Sequence, residues 1–153
     1  MKFLETKIPP PAVMALFALA MWGLARVTPS FSILALVSFW GSKLFLAAGL
    51  VVLFLSAINF IRARTTFNPM APQNAATLVT SGLYSFSRNP IYVADVLFLI
   101  SWGFYLANPF ALALILLFMA YITRFQIEPE ERALSEKFGP DYAAYKKRVR
   151  RWL

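Results

Sequence analysis

The chain contains no cysteine and no histidine. The first absence removes disulfides, thiolate nucleophiles and cysteine metal sites together. The second removes the commonest general base and the customary ligand of zinc and haem, so no metal site is expected. Acidic residues are scarce too, 7 against 15 lysines and arginines, for a formal net charge of +8. Much of that excess lies in the C-terminal run YKKRVRRWL, residues 145–153. In a membrane protein such a run marks the cytoplasmic face and anionic head groups, and no nucleic-acid partner is expected.

What is abundant is apolar surface. The 153 residues are 59% hydrophobic and include 15 phenylalanines, more than a soluble domain of this size can bury, so the solvent is a lipid bilayer and the chain forms one domain, 1–153. Four apolar segments stand out at residues 11–27, 43–61, 91–107 and 109–124, with 31–40 as an interfacial or re-entrant piece before the second. A spanning helix needs about 20 apolar residues, with a lower limit near ~17. The last two segments are separated only by Asn108 and read as a helical hairpin. The first is long for a signal peptide, contains Glu5 in its lead and has no small-residue cleavage site after it. The expected fold is an all-α integral membrane protein with about four transmembrane helices, followed by short cytoplasmic helices.

Basic residues sort by side. Lys2 and Lys7 precede the first span, Arg62, Arg64 and Arg88 lie between the second and third, and Arg124 and the tail follow the fourth. The positive-inside rule then puts both termini in the cytoplasm. Compact size and the lack of targeting features suggest a bacterial inner membrane. Between the second and third spans, Pro69, Pro72 and Gly82 break any continuous helix and predict an ordered loop. After the fourth span, Pro129 and the acids around it start a helix that Gly139–Pro140 stops. A second helix over 141–150 would present Tyr142, Tyr145 and Val149 on one side, a face suited to a membrane surface.

Two polar clusters then share one side of the membrane. One is the doorway to the third span, Thr77–Tyr92; the other is Glu128, Glu130 and Glu131. The hairpin makes their helix ends neighbours, which predicts a cleft lined by carboxylates and aromatics. Each residue also has a plainer role: Arg88 as an anchor, Tyr84 and Tyr92 as interfacial aromatics, Pro90 as a helix start, Glu130 and Glu131 as a solvated helix N-terminus. Asp95 resists that treatment. A carboxylate deep in a span costs roughly 2.5–3.5 kcal/mol, so such acids have a partner or a job. Arg88, seven residues back, is one candidate partner, and contact with substrate is the other.

The segments TLVTSGLYSFSRNPIYV and EPEERALSEKFGPDYAAYKKRV, with a hairpin between them, resemble the isoprenylcysteine carboxyl methyltransferases and the wider phospholipid methyltransferase group. The shared pattern is Gly-x-Tyr, Arg-(His/Asn)-Pro-x-Tyr, then Glu-Glu ahead of Phe-Gly-x-x-Tyr, and it covers residues 75–151. The resemblance implies methyl transfer from S-adenosylmethionine, leaving S-adenosylhomocysteine, to an amphiphilic acceptor in the membrane, either an isoprenylcysteine-type carboxylate or a lipid head group. It implies cofactor binding by Ala76, Thr77, Leu78, Val79, Tyr84, Asn89, Pro90, Ile91, Tyr92 and Glu130. Arg88 or backbone N–H groups of the loop are candidates for the cofactor carboxylate, and Glu130, Glu131 and Tyr92 are the available proton takers. Methyl transfer needs orientation, worth about 7–11 kcal/mol, and neither metal nor covalent intermediate. Two departures stand out. Asn89 replaces the common histidine, and Gln126 stands where the prenylcysteine enzymes place an arginine for the substrate carboxylate, with Arg124 half a turn away. The competing readings are an NADPH-dependent sterol-type reductase, and a non-enzymatic scaffold or lipid-binding protein.

Overall fold

The computed structural model describes residues 5–30, 35–63 and 76–153. Residues 31–34 and most of the loop expected between the second and third spans, with Arg64, Pro69 and Pro72, lie outside the described residues, as does Lys2. The described chain is helical: α1 (Pro10–Val27), α2 (Ala35–Arg62), α3 (Pro90–Tyr105), α4 (Pro109–Ile122) and α5 (Glu128–Arg148). A 3₁₀ turn at Gly82–Ser85 precedes α3, and a π-turn at Thr123–Ile127 joins α4 to α5. No strand occurs among the described residues, only one isolated parallel bridge between Ser87 and Arg150.

Three helices are long and apolar enough to cross a membrane: α1, α2 from Leu36, and the continuous helical run that starts with α4. The shorter α3, 16 residues, is apolar as well. At 1.5 Å per residue it spans about 24 Å, short of the ~30 Å hydrocarbon layer. The protein is thus an all-α integral membrane protein with four apolar helices. α2 begins eight positions earlier than the expected span, because residues 35–40 form its first turns rather than a separate interfacial piece. The expected third and fourth spans shorten to end at Tyr105 and Ile122.

Burial is inverted relative to a soluble bundle, as a bilayer solvent allows. Leu36, Trp40, Leu44, Leu50 and Phe54 of α2 are exposed, while the core is a narrow seam of Val13, Met21, Leu99, Ala111, Ile115, Phe118 and Ile122. α2 lies along α3, and α1 packs on α4 and α3. Polar side chains bond main-chain groups across these contacts. Trp102 Nε1 donates to the Ala18 carbonyl at 2.9 Å, and Ser101 Oγ to the Ser42 carbonyl at 2.7 Å. Asn108 closes the hairpin: its Oδ1 accepts from the Ala111 N–H at 2.9 Å, and its Nδ2 donates to Thr28 Oγ1 at 2.8 Å. An N-cap of this kind contributes about 1 kcal/mol and here also ties the hairpin to the end of α1.

The helix stop expected at Gly139 is present as a kink. Gly139 has φ 47° and ψ −117° inside α5, a backbone open to glycine alone at little cost, and Pro140 starts the next turn. The face made by Tyr142, Tyr145 and Val149 is not a membrane-docking face. It is buried against Leu78, Leu134 and Phe138, because folding α5 back at Gly139 brings it over the doorway.

Candidate functional site

The doorway is held from both sides. Gly82 (φ 60°) turns the chain into the 3₁₀ turn; a larger residue there would be strained by that φ, and its Cβ, 2.5 Å from the Asn59 amide of α2, would displace that side chain. Tyr84 is buried edge-on against Phe60, with ring centroids 5.3 Å apart. Its carbonyl accepts from the Tyr145 hydroxyl at 2.7 Å. Burial first, then the nearby Tyr145 and Glu130, pushes the Tyr84 phenol well above its ordinary range. Leu78 and Val79 pack inward, whereas Ala76 and Thr77 are exposed.

Arg88 stitches the C-terminal tail onto this doorway. Its backbone N–H donates to the Arg150 carbonyl at 2.9 Å, and Nη1 donates to the carbonyls of Lys146 (3.2 Å) and Val149 (3.0 Å), serving as a cap for the end of α5. Nη2 meets Glu131 Oε1 at 2.6 Å. Arg151 completes the arrangement, with Nη2 2.8 Å from Glu131 Oε2 and Nε 3.1 Å from Oε1. Asn89 adds a bond from Nδ2 to the Arg151 carbonyl at 2.9 Å. Burial alone would raise the Glu131 carboxyl, but the bonds and charges of Arg151 and Arg88 outweigh it and hold the group below its usual range. The candidate pairing of Arg88 with Asp95 is therefore not made; a carboxylate on α5 takes the guanidinium. Arg88 Nε is buried with no acceptor among the described residues.

A second cluster sits beside the first. Tyr92, 4% exposed in the first turn of α3, donates its hydroxyl to Glu130 Oε1 at 2.6 Å. Gln126 Nε2 donates to the same oxygen at 2.8 Å. Glu130 Oε2 receives no hydrogen bond among the described residues. Burial pushes the Glu130 carboxyl up to about 7; the bonds from Tyr92 and Gln126 oppose that rise, and the charge of Glu131 adds to it. Pro90 and Asn89 set the start of α3 that presents Tyr92. Asp95 is three residues further along the same face, 7% exposed and without an ion pair or hydrogen bond among the described residues. Gln126 thus supports Glu130. Arg124, by contrast, points away, half exposed, toward Glu128 (3.0 Å) and Glu5 (3.5 Å).

The structure therefore brings Tyr84, Asn89, Pro90, Tyr92, Gln126, Glu130 and, one turn deeper, Asp95 to one end of the hairpin, and separates Arg124 from them. Arg151 and Tyr145 are the residues that sequence reasoning missed. Nothing in the run YKKRVRRWL distinguishes Arg151 from its neighbours, and only the three-and-four spacing of Tyr142, Tyr145 and Val149 hints at an inward face. An open charged cleft of about 420 Å³ runs along α5 outside the cluster, lined by Glu128, Glu131, Arg132, Ser135, Glu136, Lys146 and Arg151. It does not include the Tyr92–Glu130 pair.

No solved structure matches the chain. An uncharacterized protein of Haemophilus influenzae is 41% identical over 63 residues, its full length and 41% of this chain. The rat protein-S-isoprenylcysteine O-methyltransferase is 34% identical over 110 residues, which is 67% of this chain and 39% of that protein. Its human counterpart is 40% identical over 73 residues, 48% of this chain and 26% of that protein. The chain thus matches well under half the length of these named enzymes. The phospholipid methyltransferase family model matches residues 37–141, a stretch that runs from α2 through the doorway, the hairpin and Glu130 into α5, and the chain belongs to that family.

Proposed function

We propose that the protein is an S-adenosylmethionine-dependent methyltransferase acting on the head group of a membrane amphiphile, at the cytoplasmic end of the α3–α4 hairpin and within a single domain, 1–153. The observation that carries this reading is the Tyr92–Gln126–Glu130 cluster. It is a carboxylate oriented by two neutral donors on one oxygen, with the other oxygen left for a ligand. That donor set fits the cofactor, whose ammonium, sulfonium and ribose hydroxyls all seek a carboxylate. The Tyr84 and Tyr92 rings provide apolar and cation–π surface beside it. When bound, S-adenosylmethionine supplies a methyl carbon carried on a sulfonium.

The chain's own residues then divide by task. Glu130, with the wall from Leu78 to Tyr84 and from Asn89 to Tyr92, binds and orients the cofactor. Arg88 and Glu131 are positioning residues in this reading, since each is spent on holding the tail. Asp95 faces the acceptor. Four arginines near this end of the hairpin are already engaged: Arg88 and Arg151 by Glu131, and Arg124 and Arg132, on the other side of the helix, by Glu5 and Glu128. A site lined by two carboxylates suits an amine-bearing lipid head better than a carboxylate-bearing one. The isoprenylcysteine named in the relatives is accordingly the lesser candidate. Asp95→Asn is expected to leave S-adenosylhomocysteine affinity unchanged and to raise KM for an amine-headed amphiphile by about tenfold or more, the worth of one charge-assisted hydrogen bond. Equal loss of cofactor and acceptor binding would remove Asp95 from the acceptor side.

The test of the function itself is calorimetric titration of the full chain in nanodiscs with S-adenosylhomocysteine and, in parallel, NADPH. Saturable binding of the first alone supports the proposal. NADPH binding in its place would favour a reductase, and binding of neither would favour a scaffold.

A further inference from the structure

The π-turn between α4 and α5 has a specific cause and an unexpected guard. In an α-helix the Phe125 carbonyl accepts from the N–H of residue 129, which here is proline and has none. The ladder widens instead. Glu128 N–H reaches the Thr123 carbonyl, five residues back, and the extra residue lets both Gln126 and Ile127 be buried. The Phe125 carbonyl is taken from outside the helix, by the Thr6 N–H at 3.0 Å. Thr6 has φ 53°, a left-handed conformation uncommon for threonine, so local backbone strain accompanies this contact.

Glu5, the residue before it, bridges two arginines: its Oε1 lies 3.5 Å from Arg124 Nη1, and its Oε2 contacts Arg132 Nη2 directly. Arg124, Glu128 and Arg132 follow one another at four-residue spacing along one side of the joint. Gln126 and Glu130 are offset by two positions, hence on the opposite side. One N-terminal segment thus grips the back of the joint whose front carries the Glu130 cluster.

We infer that Glu5 and Thr6 act as a clamp that fixes the π-turn and thereby aims Gln126 and Glu130 at Tyr92, making Glu5 a positioning residue for the cofactor pocket. The inference rests on the methyltransferase reading for its functional consequence, but the clamp itself does not. Arg124 and Arg132 are half exposed, so the two ion pairs are partly screened and their loss has a modest effect. Glu5→Gln is expected to weaken S-adenosylhomocysteine binding by about threefold to tenfold and to move the pH midpoint of that binding, because Glu130 is less well bonded by Tyr92 and Gln126. The ratio of variant to wild-type Kd is expected to fall toward one in 1 M salt, where the Debye length is about 3 Å. A purely space-filling role for Glu5 would leave that ratio insensitive to salt.

Hydrogen exchange on the full chain in nanodiscs, without ligand, provides the second measurement. The amides of residues 123–131 are expected to exchange faster in Glu5→Gln than in the wild type. Unchanged exchange would overturn the clamp. Faster exchange with unchanged affinity and pH midpoint would overturn its role in positioning the pocket. If the wild type binds no S-adenosylhomocysteine, the methyltransferase reading fails, and exchange alone still decides whether the clamp exists.

Discussion

Glu130→Gln is expected to weaken S-adenosylhomocysteine binding by about a hundredfold at pH 8, the upper end of what a hydrogen bond to a charged group contributes. The size follows from where the carboxylate stands. Tyr92 and Gln126 hold one of its oxygens, so the other is oriented before any ligand arrives, and glutamine removes the charge while keeping the shape. The pH dependence gives a sharper signature. Burial lifts the Glu130 carboxyl to about 7, so the ligand-free protein carries a proton there through mildly acidic conditions. A cationic ligand needs the ionised form. Wild-type affinity for S-adenosylmethionine is therefore expected to rise by about tenfold per pH unit up to that midpoint and level above it, while the variant shows no such rise.

Stability without ligand should run the other way. The folded carboxyl lies above the ordinary 4.5, so between that value and about 7 the native state binds more protons than the unfolded one. This group's contribution is fully present below 4.5 and is lost as pH rises through 7. Thermal melts of wild type and Glu130→Gln across pH 5 to 8 isolate the term, since all other groups are common to both. Affinity and ligand-free stability that both rose with pH through Glu130 would show that the carboxylate is not held protonated in the apo site.

How legible was this in the sequence? The hairpin was plain, because two apolar runs meet at Asn108 with proline after it. The meeting of Tyr92 with Glu130 followed from that topology, and their separation of 38 positions is bridged by one hydrogen bond. The break at Gly139 was equally readable, since glycine before proline leaves a helix few alternatives. Three features were not. The direction of the Tyr142–Tyr145–Val149 face depends on α5 folding back at Gly139, and an amphipathic pattern does not say whether its apolar side meets lipid or protein. The partner of Arg88 depended on whether Asp95, on α3, or one of Glu128, Glu130 and Glu131, which the α4–α5 joint rotates, would face it. That rotation is set by the π-turn, which arises from Pro129 but whose register no local pattern reveals. Arg151 was hidden for a different reason: in a run of five basic residues among six, 146–151, only tertiary contact singles one out.

The second large effect is expected at Glu131, and it separates two roles that the sequence left open. Glu131 is 6% exposed and holds two guanidinium groups, Arg88 through Nη2 and Arg151 through both Nε and Nη2. Glu131→Gln removes the only anion of this triad and leaves the nearly buried Arg88 charge uncompensated. Breaking a buried pair from one side costs about 3–5 kcal/mol; Arg151 is 35% exposed and water recovers part of that, so the lower figure applies. At about 2–4 °C per kcal/mol for a chain of this size, the melting temperature should fall by roughly 6–12 °C. The tail should loosen with it, since Arg88 also caps α5. Arg151→Ala, which leaves one arginine on one carboxylate, is expected to cost about a third as much or less. A proton-taking Glu131 predicts something else: kcat falls in Glu131→Gln while the melting temperature and cofactor affinity hold. Its carboxyl sits below the usual range between two arginines, which makes it a poor acceptor of protons and a good anchor for a tail. A large Tm loss accompanied by weaker cofactor binding therefore marks Glu131 as the residue that closes the doorway, and an unchanged Tm with slow turnover would return it to the chemistry.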